Sequence, residues 1–117
     1  MAEPRYATFL PPPGADFRFL MNSIERGRAR TASAGVKRVL VDLLALQDEP
    51  QEIESLLLGH HVGVHLSGLD RIAVLLSREI AFSETVAQRL GANMRVFDSR
   101  VAAIAWLESA ETSVTGF

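Results

Sequence analysis

The sequence predicts an α/β fold, with a mainly parallel four-stranded sheet and about four helices. Two apolar runs, residues 36–46 and 71–77, are rich in β-branched residues and do not alternate with polar ones. Such runs are typical of strands that are covered on both faces, as parallel strands usually are. Segments of helical periodicity separate the runs, which indicates parallel strands joined by right-handed crossovers.

The composition indicates one globular domain. The chain has 117 residues, of which 48% are hydrophobic and 22% charged, so it is long enough and apolar enough for a single core. No internal repeat or linker divides it. We therefore predict one domain over residues 1–117, in which residues 1–15 form a loosely packed N-terminal strand and a proline turn.

The first half of the chain shows one strand and one helix before the first apolar run. Residues 6–10 are short and β-prone, and the prolines at 11–13 that follow lack the N–H groups of a sheet interior, which predicts an edge strand. Asp16 is expected to cap a helix that continues to about Ser33 and ends at Gly35. One face of this helix is marked by residues at helical spacing: Phe17, Leu20, Met21, Ile24 and Arg28.

The second half repeats the alternation. A helix after Pro50 is predicted to carry Ile53, Leu56 and Leu57 on one apolar face and to end at Gly59. The later elements are a strand at 71–77, a helix within 79–90 closed by Gly91, a short strand at 94–97, and a helix over 101–110 capped by Asp98 or Ser99.

Several of these blocks resemble a known family in order and spacing. They are residues 39–43, 71–75, 84–89, 96–98 and 105–107. The chain resembles, from about Phe17 to Leu107, an uncharacterised bacterial branch of the SpoIIAA-like group related to STAS domains. The resemblance implies a β-α superhelix and a protein that docks onto other proteins or binds a small ligand.

The sequence departs from the family pattern at two places. Family members usually open with a β-hairpin, for which only residues 6–10 are present here. Phosphorylated antagonists of the family carry a serine after the second strand, whereas residues 46–52 contain neither serine nor threonine. Ser55 falls inside the predicted helix. We therefore predict no phosphorylation site.

A ligand site is predicted at the carboxyl edge of the sheet, where loops and helix N-termini meet. The polar residues expected there are Ser77, Arg78, Asp98, Ser99 and Arg100. The two arginines are suited to grip a carboxylate or phosphate beside the two serines. Alternatively, Ser77, Asp98 and Ser99 cap helices while the arginines are solvated, and this simpler interpretation is favoured.

The three histidines, His60, His61 and His65, are the candidate metal ligands. On a helix, His61 and His65 share one face at a spacing that can hold zinc. However, Gly59, Gly63 and Gly68 favour a surface loop over a continuous helix. We therefore predict a loop without a metal site.

The charge and the absence of cysteine exclude other classes. The net charge is −2, so the basic excess of a nucleic-acid binder is missing, and Arg26, Arg28, Arg30, Lys37 and Arg38 are interpreted as a solvated patch. There are no cysteines, phosphate-binding glycine loops or nucleophile elbows. We predict no enzymatic activity and no cofactor. A cytoplasmic location without membrane insertion is expected, because no signal pattern or long apolar run occurs.

The leading functional prediction is a non-enzymatic regulatory or protein-interaction module, which acts on an unknown partner or as a homodimer. Val39, Val41 and Leu43 face one side of the sheet, and Leu40 and Leu44 face the other. If all helices lie on one face, the other face needs cover from a partner or a second copy. The alternative is a small-molecule binding protein for a lipid-like or anionic ligand, held at the carboxyl edge of the sheet or beneath helices.

Overall fold

A computed structural model describes residues 6–12, 14–44, 52–76 and 81–109. Strands and helices alternate within these ranges: β1 (Ala7–Phe9), α1 (Phe17–Ala34), β2 (Arg38–Asp42), α2 (Glu52–Leu66), β3 (Arg71–Leu75), α3 (Ala81–Arg89), β4 (Met94–Phe97) and α4 (Arg100–Glu108). The strands form one parallel sheet in the order β1-β2-β3-β4. The predicted α/β class, the parallel sheet and the adjacency of the two apolar strands are confirmed.

The helices lie on both faces of the sheet. The arrangement that would leave one face bare, with all helices on a single face, is therefore not the one observed. The first face, with Val39 and Val41, packs against α1, α2 and α3. On the second face α4 covers Leu40, Ala73 and Leu75, and all three are fully buried. Because crossovers of one hand between sequential strands stay on one face, only α4, which follows the last strand, is free to reach the other.

The local predictions for α1 are confirmed. Asp16 is the N-cap, and its Oδ1 accepts a hydrogen bond from Phe19 N at 2.9 Å. Leu20 and Ile24 are buried in the core. Gly35 ends the helix in the left-handed conformation, with φ of 73°, which a glycine adopts without strain.

The predicted end of α2 is wrong, and the predicted apolar face is not the face that packs against the core. The helix continues through Gly59 to Leu66, and Ile53 and Leu57 are 64% and 51% exposed. The buried face instead carries Leu58, Val62 and Leu66. Residues 56–58 are three consecutive leucines, so the sequence alone does not show which of them faces the core.

Close packing between α2 and α3 explains a glycine inside α2. A Cβ atom added to Gly63 would lie 2.6 Å from the Cβ of Leu90, at the end of α3. Any larger residue would force these segments apart. Glycine, which disfavours helix in isolation, is here the residue that lets the helix pack.

Two arginines fix the C-terminal end of α4 to the sheet. Arg38 of β2 donates hydrogen bonds to the carbonyl oxygens of Leu107 and Ser109, and also to Asp70 at 3.0 Å. Arg71 of β3 is buried and donates to the carbonyl oxygen of Trp106. These cations satisfy carbonyl groups at the negative end of the helix dipole.

Candidate functional site

At the carboxyl edge of the sheet, Asp98, Ser99 and Arg100 follow β4, whereas Ser77 and Arg78 lie outside the described residues. Ser99 is the N-cap of α4, and its Oγ accepts a hydrogen bond from Ala102 N. Arg100 lies 2.6 Å from Oδ2 of Asp42. Ser99 and Arg100 therefore have structural partners.

Asp42 occupies the end of β2 and explains the position of Arg100. Its other oxygen accepts a hydrogen bond from Leu44 N at 3.1 Å, as expected for an aspartate near a strand end. The Asp42 side chain is only 10% exposed, whereas that of Arg100 is half exposed. Because the carboxylate of Asp42 offsets its charge, Arg100 is poorly suited to bind an anionic ligand.

A cavity of about 230 Å³ lies between the edge strand and the helices. We call it the β1–α1 cavity. Its residues come from β1, α1, β2 and the end of α2: Ala7, Thr8, Phe9, Ser23, Ile24, Gly27, Arg30, Thr31, Val39, Val41, Leu66 and Leu69. Val39 and Val41 belong to the sheet beneath it, and Gly27 leaves room because it has no side chain. Most of the surface inside is apolar.

A groove adjoins the cavity and reaches the carboxyl end of β1. It shares Thr8, Phe9, Ser23 and Arg30 with the cavity and adds Leu10, Pro12, Phe19 and Arg26. Arg26 and Arg30 are exposed on α1. Within the described ranges, neither has a hydrogen-bond or ion-pair partner, and no acidic residue lines the cavity or the groove.

The basic patch expected from the sequence is thus divided by the fold. Arg38 is engaged with α4, and the guanidinium group of Arg28 lies over Gly68. Arg26 and Arg30 are left at the groove. Of the basic patch, Arg26 and Arg30 are the two residues that line the groove, and no partner holds their charge among the described residues.

The histidines lie on a helix, so the predicted loop is wrong. His60, His61 and His65 all belong to α2. The rings of His61 and His65 are 4.6 Å apart between centroids, and Nε2 of His61 lies 2.9 Å from Oε2 of Glu25 on α1. His60 is exposed on the outer side of α2 and does not belong to this group.

Sequence reasoning missed Glu25 and the cavity for different reasons. The His-x-x-x-His spacing of His61 and His65 is present in the sequence. On a continuous helix, this spacing places the two side chains next to each other. Glu25 is 36 residues away from His61, and no local pattern connects them. The cavity depends on how α1 sits over the edge strand, although Gly27 inside an otherwise helical pattern was a signal of close packing or open space.

Within the described ranges, no helix has the length and hydropathy required to cross a membrane. Comparison of the chain with protein-family models, with curated proteins and with solved structures finds no match.

Proposed function

We propose that this protein is a non-catalytic binding module that holds a small amphipathic anion in the β1–α1 cavity. The observation that carries this function is an apolar cavity whose adjoining groove contains two arginines that have no partner among the described residues. A medium-chain carboxylate has the matching chemistry, with an apolar chain for the cavity and a charged head for the groove. The resemblance to SpoIIAA-like proteins, some of which bind small ligands, is compatible with this role.

The apolar part of such a ligand is favoured by the lining of the cavity. Ile24, Val39, Val41 and Leu66 present aliphatic surface, and a ligand chain among them removes apolar area from water on both sides. Ligand sites in proteins are typically of this kind, with mainly apolar walls and a few polar groups that orient the ligand.

The charged part is favoured by Arg26 and Arg30. A guanidinium group forms paired hydrogen bonds with a carboxylate or phosphate, and such charge-assisted bonds are stronger than neutral ones. Arg30 lines both the cavity and the groove, so it lies where the apolar and polar portions of the ligand would meet.

Titration calorimetry with octanoate and with octanol tests both parts of this proposal. We expect octanoate to bind with one-to-one stoichiometry and octanol to bind more weakly, because it lacks the charge. Arg30→Gln should weaken octanoate binding about tenfold, the equivalent of one charge-assisted hydrogen bond, and leave octanol binding nearly unchanged.

Two further variants make the result specific to the cavity. Ala7→Leu adds bulk inside the cavity from an edge strand and should abolish binding of both compounds. Arg18→Gln removes an exposed arginine of α1 that does not line the cavity or the groove, and it should bind like the wild type. Absence of octanoate binding, or binding that survives Ala7→Leu, would refute the proposal.

A second candidate function is self-association through the outer surface of α2. Ile53, Leu57, His60 and Val64 recur at helical spacing and form one face, which we call the α2 stripe. Its three apolar members are each more than half exposed. A second copy packed in two-fold symmetry would cover these side chains with their own counterparts.

Light scattering over a range of protein concentrations tests this second candidate. A dimer should form in the wild type and dissociate in Leu57→Glu. Val101→Glu is the matched control, because Val101 is 80% exposed on α4 and far from the stripe in sequence. A wild-type protein that is monomeric throughout the range excludes self-association.

A further inference from the structure

We propose that Glu25, His61 and His65 form a binding site for one divalent transition-metal ion of the zinc type. The site joins α1 to α2 and is independent of the ligand in the β1–α1 cavity. The juxtaposition of one carboxylate with two imidazoles one helical turn apart carries the inference.

The three side chains converge from two helices. His61 and His65 lie four residues apart on α2, so their side chains leave the same face of the helix. Glu25 approaches from α1, and one potential ligand atom from each of the three residues lies within 4.8 Å of the others. A tetrahedral zinc site places its ligand atoms roughly 3.3–3.6 Å apart, given zinc–ligand bonds of about 2.0–2.2 Å.

Only small side-chain movements separate this arrangement from coordination. The His61 and Glu25 atoms are already 2.9 Å apart, held by a hydrogen bond, and a metal would replace the proton between them. Glu25 is 48% exposed and His61 24% exposed, so both side chains have room to adjust without disturbing the core.

The ligand types select the class of metal. Two imidazoles favour zinc, copper, nickel, cobalt or iron over magnesium and calcium, which prefer sites made entirely of oxygen. Two histidines and one glutamate also form a known zinc ligand set, which leaves a fourth position for water or another ligand. The described residues therefore provide three ligands of an open site.

Titration calorimetry of tag-free, chelator-treated protein with Zn²⁺ is the direct test. We expect one ion to bind per chain, and His61→Ala and His65→Ala each to weaken binding by at least about tenfold. Glu25→Gln keeps the size of the side chain and should weaken binding less than the histidine variants. Mg²⁺ should give no binding.

His60→Ala supplies the matched control. His60 is on the same helix next to His61 but points away from the cluster, so its removal should not change zinc affinity. Circular dichroism should show unchanged helix content in all variants. Zinc binding that is absent in the wild type, or equally strong in His61→Ala and His65→Ala, overturns the proposal.

Thermal unfolding provides a second readout, the change in Tm on addition of zinc. A His61–Glu25 hydrogen bond without a metal site would not produce this change. Because zinc binds only the folded state in which α1 and α2 meet, it should raise the Tm of the wild type and of His60→Ala. The Tm of His65→Ala, which keeps the hydrogen bond between His61 and Glu25, should rise much less at the same zinc concentration. An equal zinc-dependent shift in His65→Ala would contradict the site.

Discussion

At the scale of single residues, buried polar groups tie distant parts of the chain together. Asp42 accepts hydrogen bonds from Leu44 N and from Arg100, which is 58 residues away. Its position near a strand end accounts for the backbone contact but not for the contact with the arginine. The difference is physical, because the first contact is local and the second depends on where α4 begins.

A double-mutant cycle measures the contact between Asp42 and Arg100. We expect Arg100→Met to lower the free energy of unfolding by about 1 kcal/mol, since it leaves a nearly buried carboxylate without its cation. Solvent around the half-exposed arginine limits the effect. In the Asp42→Asn background the same substitution should have almost no effect. Urea unfolding gives both values, and equal losses in the two backgrounds would contradict the pair.

The arginine cap of α4 gives a second residue-level prediction. Arg38→Ala removes hydrogen bonds to two carbonyl groups and to Asp70, and we expect a loss of roughly 2 kcal/mol in the free energy of unfolding. Urea unfolding followed by the fluorescence of Trp106, the only tryptophan, measures it. Lys37→Ala removes the adjacent exposed cation and should change stability by less than about 0.5 kcal/mol. Equal effects of the two variants would show that Arg38 is not a cap.

At the scale of elements, glycines have different structural roles. Some end a helix, whereas another allows close packing inside a helix. Gly35 and Gly91 end α1 and α3 in conformations with positive φ, as the sequence predicts. Gly63 lies within α2, where its reason is the approach of Leu90. A local pattern does not distinguish a terminator from a packing glycine, because the neighbour that decides between them is distant in sequence. Because of this ambiguity, the sequence predicts neither the full length of α2 nor the pairing of two histidines on it.

Two glycine-to-alanine substitutions inside helices test the packing role of Gly63. Gly63→Ala should lower the free energy of unfolding by at least about 1 kcal/mol, because the clash with Leu90 outweighs the gain in helix propensity. Gly27→Ala should be neutral or stabilising by up to about 1 kcal/mol, because its Cβ would meet Leu66 at an ordinary distance of 3.4 Å. Thermal unfolding compares them. A Gly63→Ala protein as stable as Gly27→Ala would refute the close packing of α2 against Leu90.

At the scale of the whole molecule, the sequence predicts the sheet well and the sites poorly. Strands β2 and β3 are recognisable because both faces are buried and their apolar runs do not alternate. The covering of the second face by α4 was not predictable, since a helix after the last strand is not constrained by a crossover. This covering removes the bare sheet face on which dimerisation was expected.

The two proposed sites both depend on how α1 packs beside its neighbours. Arg26 and Arg30 follow the groove beside β1, whereas Glu25 meets the histidines of α2. Adjacent residues of one helix thus serve different surfaces because successive side chains point in different directions around it. The sequence does not show this division. From the sequence alone, the same arginines are interpreted as part of a solvated patch.

Amide NMR spectra recorded during titration with octanoate test the central proposal, ligand binding in the β1–α1 cavity, most directly. Binding there should shift the amide signals of Thr8, Ser23, Gly27 and Thr31 in a saturable way, and leave those of α4 on the opposite face nearly unchanged. Arg30→Gln should require higher octanoate concentrations for the same shifts. Saturable shifts confined to α4, or no shifts at all, would contradict the assignment of the cavity as the ligand site.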